Sequence, residues 1–460
     1  MSKVLLMDIG STFTKLTAVC LKTQTILGTS MGYTTVETDI NTGVDFAISD
    51  LKNKGCDYSF DKIYASSSAA GGLKMMACGL VPELTAKAAK FASLGAGAKV
   101  VKVYSYQLTD SDIKEIDENS PDIFLLSGGT DGGNSEYILH NASMLAKCEK
   151  DFPIIYAGNR SCCDACIDIL SGKEVVPVSN VMPSLGQIDI VPTQSVIRQI
   201  FMDRIVHAKG INKISQMISG DIVPTPAAIF QAVQLLSGGT DTESGIGELM
   251  CVDLGGATTD TYSVAKGEPK DLRTVLKGLP EPYAKRTVEG DMGMRYSIHG
   301  IVDAVGINKI AELADLKVDE AEKLLDHLTK NTDQIPDSEK LEKLDKALAT
   351  CAVKVAVERH SGTLEQTFTP MGEVYVQTGK DLRDVDKMVL TGGALIHSKS
   401  PLSIVKSALE KNVLVMSLKP DHADVYLDKK YILSAMGLLS QEDPDIALRI
   451  MKKELTCYGT

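Results

Sequence analysis

The stretch "MCVDLGGATTDTYSV", residues 250–264, sets an aspartate near the end of an apolar run, two glycines behind it, then hydroxyls, a second aspartate and more apolar residues. Apolar run, glycine turn and apolar run together predict a β-hairpin. Glycine has no Cβ, so backbone N–H groups at such a turn can approach phosphate oxygens closely, and threonine hydroxyls add further donors. Gly255, Gly256, Ala257 and Thr258 are the candidate phosphate contacts, and Asp253 is placed to face an attacking water. A turn that merely ends a strand is the plainer reading of one such element taken alone.

The opening of the chain repeats the pattern. "KVLLMDIGSTFTKLTAVCL", residues 3–21, again runs apolar, Asp-x-Gly, hydroxyls, apolar. Gly10, Ser11, Thr12 and Thr14 are the candidate phosphate contacts here. Lys15, seven residues after Asp8, supplies a positive charge suited to β- and γ-phosphates. Asp8 is repelled by phosphate but can hold the hydration shell of Mg²⁺, so Asp8 and Asp253 are the candidate metal residues, acting through water. Asp8, Asp253 and Lys15 form the candidate catalytic set. The two motifs stand 245 positions apart, which predicts two related halves with a sizeable element between them.

A third element, "MVLTGGALI" (388–396), ends a strand-like run in Gly392, Gly393 and Ala394, where an adenosine needs close backbone approach. "RTVEGDMGMR" (286–295) packs Glu289, Asp291 and Arg295 around Gly290 and Gly293. It reads either as a capped loop leading into a helix or as a place for Glu289 or Asp291 near a ribose or the Mg²⁺ water shell. "SGGTDGGN" (127–134) is a strand-end turn or a contact for a ligand or partner.

Between the two hairpins, "KVVKVY" (99–104), "PDIFLLS" (121–127), "PIIYAG" (153–158) and "EVVPVS" (174–179) alternate with helix-like segments. Such alternation predicts a small parallel α/β subdomain inserted at 95–180. The first lobe is then 1–94 with 181–248, and the second is 249–460, including a helical subdomain at about 300–361. Within the latter, Leu341, Leu344, Leu348, Cys351, Ala352 and Val355 share one helical face, with Ser338 and Gly362 as start and stop signals. "LLSGGTD" occurs twice, at 125–131 and 235–241, and is read in both places as strand-to-turn chemistry.

Composition narrows the function. With 48 basic against 60 acidic residues and a net charge of -12, the chain has no basic stripe for nucleic acid. There is no secretory leader pattern and no apolar stretch near the roughly 20 residues that span a bilayer, so a cytoplasmic protein without membrane contact is expected. The ten cysteines are then reduced. Cys163 and Cys166 have CxxC spacing but no second pair completes a four-ligand site, so they are expected to be dispensable packing residues. His397 is read as packing or incidental, and no histidine-based catalytic site is expected.

The two phosphate turns and the final glycine pair resemble the actin, heat-shock chaperone and sugar-kinase superfamily of ATPases. Lys15 has the spacing of the phosphate lysine of actin-like members. "VPTPAAIFQAV" (223–233) resembles the lobe-connecting helix of the chaperones, with Val223 where they usually carry Glu. A resemblance to the MutL or GlmL family of glutamate mutase accessory proteins extends over essentially the whole chain, carried by "LLMDIGSTFTK", "IYASSSAAGGLKM", "LLSGGTDGGN", "IIYAGNR", "MCVDLGGATTD", "RTVEGDMGMR" and "VLTGGALI". The mismatch-repair protein that shares the MutL name has a different ATPase fold. The resemblance implies a two-lobed actin-like ATPase of duplicated RNase H-like domains that uses ATP and Mg. It implies an adenosylcobalamin-dependent mutase as partner, from which the protein releases inactive cobalamin, and it leaves room for a homodimer. The alternatives from the residues are a metabolite kinase, an ATP-driven activator of a corrinoid or radical enzyme, and a filament-forming actin relative.

Overall fold

Val4, Leu5, Leu6, Met7 and Ile9 are all buried, so β1 (Lys3–Ile9) is apolar on both faces, as an interior strand must be. It pairs antiparallel with β2 (Phe13–Cys20), which pairs antiparallel with β3 (Thr25–Tyr33), and β1 runs parallel to β4 (Lys62–Ser67). A computed structural model describes residues 2–10, 12–34, 40–56, 59–68, 73–206, 216–370, 372–410 and 416–459, the side chains of 202–206 excepted. Ser11 therefore lies outside the described residues. The chain divides into two compact units: Met1–Ala69 with Lys209–Lys277 and Glu281–Thr460, and Ala70–Ala208 with Gly278–Pro280.

The second unit is a five-stranded parallel sheet built from β5 (Lys74–Gly79), β6 (Lys99–Ser105), β7 (Ile123–Leu126), β8 (Ile154–Tyr156) and β9 (Val175–Pro177), in the order β6-β5-β7-β8-β9. This is wider than the insertion expected at 95–180. Strand β5 pairs with both β6 and β7, so it sits inside the sheet, and the helix Val191–Val206 packs on the helix Lys87–Gly95. Met75, Met76, Ala77 and Cys78 are fully buried there. At the carboxyl edge of the sheet, Asn180 bridges Gly129 O and Asp131 Oδ1, while Asn159 binds Gly132 N, Gly133 O and Asn134 O, so "SGGTDGGN" is stitched to its neighbouring loops. Cys166 is buried and its thiol faces Ile138 O, and burial pushes that thiol up to about 12. Among the described residues no three His, Cys, Asp or Glu side chains converge to hold a metal ion.

The first unit resumes with β10 (Val223–Pro224), which pairs with β4 and completes the order β10-β4-β1-β2-β3. Its second sheet contains β11 (Leu249–Leu254), β12 (Thr259–Val264), β14 (Ala284–Glu289), β17 (Lys387–Thr391), β18 (Asp424–Leu427) and β19 (Thr456–Tyr458), ordered β14-β12-β11-β17-β18-β19. Apart from β19, the two sheets repeat one plan: an antiparallel three-stranded meander whose first strand pairs in parallel with a later strand, followed by a second parallel one. This is the duplicated arrangement of the actin-like ATPase fold. A separate small sheet joins β13 (Thr274–Leu276), β15 (Thr363–Thr369) and β16 (Gly372–Thr378).

The helices Thr225–Gly238 and Leu433–Leu439 pack together between the two sheets, in one core with Val4, Leu6, Leu249, Cys251 and Val389. A Cβ on Gly437 would lie 1.8 Å from Ala228 O, so only glycine lets these helices approach this closely. The expected amphipathic helix runs Glu339–His360, with the Ser338 hydroxyl accepting from Leu341 N and Ser361 as its C-cap. Val355 is only partly buried, while Ala347, Val353 and Val357 add to the buried face. "LLSGGTD" takes two conformations: at 125–131 it ends β7, but Leu235 to Gly238 finish a helix. The strand reading fails at the second copy because the preceding run is held helical by its packing in the core, which overrides local sequence.

Candidate nucleotide site

Asp8 and Lys15 are register partners across the first hairpin, and their side chains meet with Lys15 Nζ 3.4 Å from Asp8 Oδ2. The other carboxylate oxygen, Oδ1, accepts from Ser66 Oγ at 3.1 Å and from Thr225 Oγ1 at 2.7 Å. Ser66 is brought there by the parallel pairing of β1 with β4, and Thr225 by the start of the helix that follows β10. Lys15 also lies over the ring of Tyr431, 3.3 Å from its centroid. Burial disfavours its charge, but Tyr431, Asp8 and Asp253 outweigh burial and raise its pKa, so it stays an ammonium.

The second hairpin brings Asp253. Its Oδ1 is sealed from water and has no hydrogen-bond partner, although the residue as a whole is only partly buried. Burial pushes its carboxyl up to about 7; Asp260, Asp8 and Asp428 add to the rise while Lys15 opposes it. Asp260 is neutralised by Arg286, at 2.8 Å from Nε and 2.6 Å from Nη2, and accepts from Thr258 Oγ1. Asp428 caps the helix Leu433–Leu439 by accepting from Ile432 N and Leu433 N, and takes a further bond from Thr391 Oγ1.

The two glycine turns share one closing hydrogen bond and face each other. Gly10 N donates to Phe13 O and Gly255 N donates to Thr258 O, so these two amides close the turns rather than reaching outward. A Cβ on Gly256 would stand 3.2 Å from Thr12 Oγ1. The second turn is buttressed from behind: Met294 N donates to Gly255 O, and Arg295 N and Tyr296 N both donate to Gly256 O. A Cβ on Gly293 would fall 2.3 Å from the Ala257 carbonyl carbon, which requires glycine there. Arg295 ties the loop to the long helix through Asp345, at 3.0 and 2.8 Å. "RTVEGDMGMR" is thus the support of the second glycine turn.

The structure brings Asp8, Lys15, Asp253, Gly10, Thr12, Gly255, Gly256, Ala257 and Thr258 together. Gly392 joins them: Asp253 and Thr391 are register partners, and a Cβ on Gly392, at φ 95°, would lie 2.3 Å from Leu254 O. Gly393 has open space around its Cβ position, while Ala394 packs on the hydrophobic core. One expectation changes. Thr14 is fully buried and its hydroxyl meets Thr34, because strand alternation turns it away from the face that carries Lys15. Glu289 is held by Arg359 at 2.5 Å, and the Asp291 side chain is exposed on the supporting loop. Ser66, Thr225, Asp428 and Tyr431 were not anticipated as site residues. An Asp five residues before a helical run, as in "DKKYILSAMG", is the one local sign of a cap that could have marked Asp428.

The protein-family model described as "MutL protein" matches residues 4–455. Protein MutL of Clostridium tetanomorphum is 48% identical over 460 residues, spanning 99% of each chain. Among solved structures, the activator of 2-hydroxyisocaproyl-CoA dehydratase from Clostridium difficile with bound ADPNP aligns over 100% of both chains at 9% identity and TM-score 0.32. A diol dehydratase-reactivating factor in nucleotide-free form aligns over 96% of this chain and 100% of its own, at 13% identity and TM-score 0.36. By the family model and the near full-length relative, the chain belongs to the MutL protein family.

Proposed function

We propose that this protein binds Mg-ATP between its two glycine turns, hydrolyses it slowly, and uses the cycle to reactivate an adenosylcobalamin-dependent mutase of the glutamate mutase or aminomutase type. The observation that carries the nucleotide part is Asp253: a carboxylate oxygen sealed from water and unpartnered, beside Asp8 and at the foot of one of two glycine turns that approach each other at Gly256 and Thr12. Asp8 and Asp253 both face the Lys15 ammonium, and two carboxylates against one ammonium leave a negative charge that suits a divalent cation held through its water shell. Asp8 and Asp253 would hold the water shell of Mg²⁺, which supplies neutralisation of phosphate charge. Lys15 grips the phosphoryl oxygens with a full positive charge. Asp253 orients the attacking water, and the hydroxyls of Ser66 and Thr225 fix Asp8 in place.

The mutase part follows from the family resemblance. A radical enzyme whose cofactor fails to close its cycle retains a dead cobalamin, and its release needs the enzyme to be pulled open. The helix crossing at Gly437 and Ala228 joins the two sheets, so a change of nucleotide at the turns would be relayed to their relative angle there. The Ala70–Ala208 unit is the proposed mutase-contacting surface. The reading requires ATP to change the strength of mutase binding, since a ligand shifts an equilibrium only by its differential affinity. The test uses a mutase inhibited with hydroxocobalamin and supplied with fresh adenosylcobalamin. Turnover should recover with this protein and Mg-ATP and stay lost without nucleotide. Equal recovery in both arms would sink the reactivase reading while leaving the ATPase reading intact.

A further inference from the structure

Tyr431 adopts φ 57°, the left-handed region that bulky side chains rarely occupy and that Gly or Asn would take at lower cost. The strain is held in place on both sides. Tyr431 N donates to Asp428 O, and the next two amides, of Ile432 and Leu433, are taken by the Asp428 carboxylate. Asp428 is anchored in turn by Thr391 Oγ1, at the end of the strand beside Asp253. The consequence of this conformation is that the Tyr431 ring lies under the Lys15 ammonium, 3.3 Å from Nζ to the ring centroid. Asp8 Oδ2 bounds the same ammonium at 3.4 Å.

We propose that Tyr431 is a positioning residue for Lys15: its strained backbone aims the aromatic ring so that the Lys15 ammonium is held beside Asp8, at the height where a phosphoryl group must meet it. A long flexible lysine would otherwise lose several rotatable bonds of freedom each time it engaged phosphate, and a ring that holds it beforehand removes that cost. The proposal rests on the nucleotide reading of the site. It differs from a packing role because the ring meets a charged atom, and because a packing role gives no reason to keep tyrosine at this φ.

The test compares Tyr431→Asn, which suits the left-handed backbone and removes the ring, with Tyr431→Phe, which keeps the ring. In the nucleotide-free full chain, acetylation of Lys15 by acetic anhydride, read by peptide mass spectrometry against exposed Lys54, should quicken in Tyr431→Asn by about two- to thirtyfold, the span set by an ordinary cation–π contact. Tyr431→Phe, which keeps the ring and loses only the hydroxyl that also faces Lys15, should stay closer to the wild-type rate than Tyr431→Asn. ATP turnover should fall in Tyr431→Asn and recover in Tyr431→Phe, and Tyr431→Asn should add no further loss in a Lys15→Ala background. Equal Lys15 labelling in wild type and Tyr431→Asn overturns the proposal. So does unchanged turnover in Tyr431→Asn when the wild type is active. A wild type without ATP turnover counts against the ATPase reading instead, and labelling alone then decides whether Tyr431 holds Lys15.

Discussion

Lys15 and Asp260 occupy the same place in the two hairpins, each seven residues beyond its Asp-x-Gly aspartate and each in register across from it. One is an ammonium at the site; the other is a carboxylate locked to Arg286. The backbone is duplicated but the chemistry is divided. In the proposed reading the first half brings the cation for phosphate, while the second half sets the Asp260–Arg286 ion pair in register beside Asp253.

Lys15→Ala should therefore weaken ATP binding as well as turnover. A charge-assisted contact is worth about 1.5–3 kcal/mol, so the dissociation constant should rise about 10- to 100-fold. Calorimetric titration of the variant measures this directly, and an unchanged affinity would remove Lys15 from the phosphate site.

Asp253→Asn should separate stability from activity. The unfolded carboxyl loses its proton near 3.9, whereas in the fold burial and neighbouring carboxylates hold it up to about 7. Between those values the folded state binds more protons, so stability from this group falls as pH rises, and the full cost is reached above about pH 7. Without Mg²⁺, the Asn variant should gain about 1–4 kcal/mol over wild type at pH 8 and much less at pH 4, read by urea unfolding. Its turnover should drop about 100-fold or more while its ATP affinity changes little, because positioned water is lost and binding is not. A variant that turns over normally would show that Asp253 is structural.

The glycines separate into those the fold requires and those a ligand would require. Gly293→Ala drives a methyl into the Ala257 backbone and should cost about 1–3 kcal/mol of stability, with loss of nucleotide binding as the second turn shifts. Gly393→Ala meets no atom within 4 Å and should unfold like wild type. If an adenosine passes over this turn, the same methyl should nevertheless weaken ATP binding. Normal affinity in Gly393→Ala would move the base elsewhere.

Much of this site was legible in the sequence because its parts are local. Asp8, Gly10 and Lys15 lie within eight residues, and Asp253 to Thr258 within six, so hairpin periodicity and turn chemistry sufficed to find them. What escaped is what only folding brings together. Thr225 reaches Asp8 through a parallel strand and a helix start, Ser66 through the pairing of β1 with β4, and Tyr431 through a strained loop far along the chain. Thr14 reads as a phosphate contact from the sequence and lies on the other face of its strand, because a residue beside a turn leaves its strand parity undecided until the register is fixed. The second unit reaches beyond 95–180, and its strand "KMMACG", short and buried from Met75 to Gly79, carries no alternation to mark it. The two copies of "LLSGGTD" show the same limit from the other side: identical residues, one ending a strand and one ending a helix, decided by what packs around them.

Whether the two facing glycine turns hold a nucleotide is read by calorimetric titration of Mg-ATP into the wild-type chain. One saturable site per chain is expected, weakened in Lys15→Ala and kept in Asp253→Asn. Absence of any binding heat, together with no phosphate release over hours, would contradict the account.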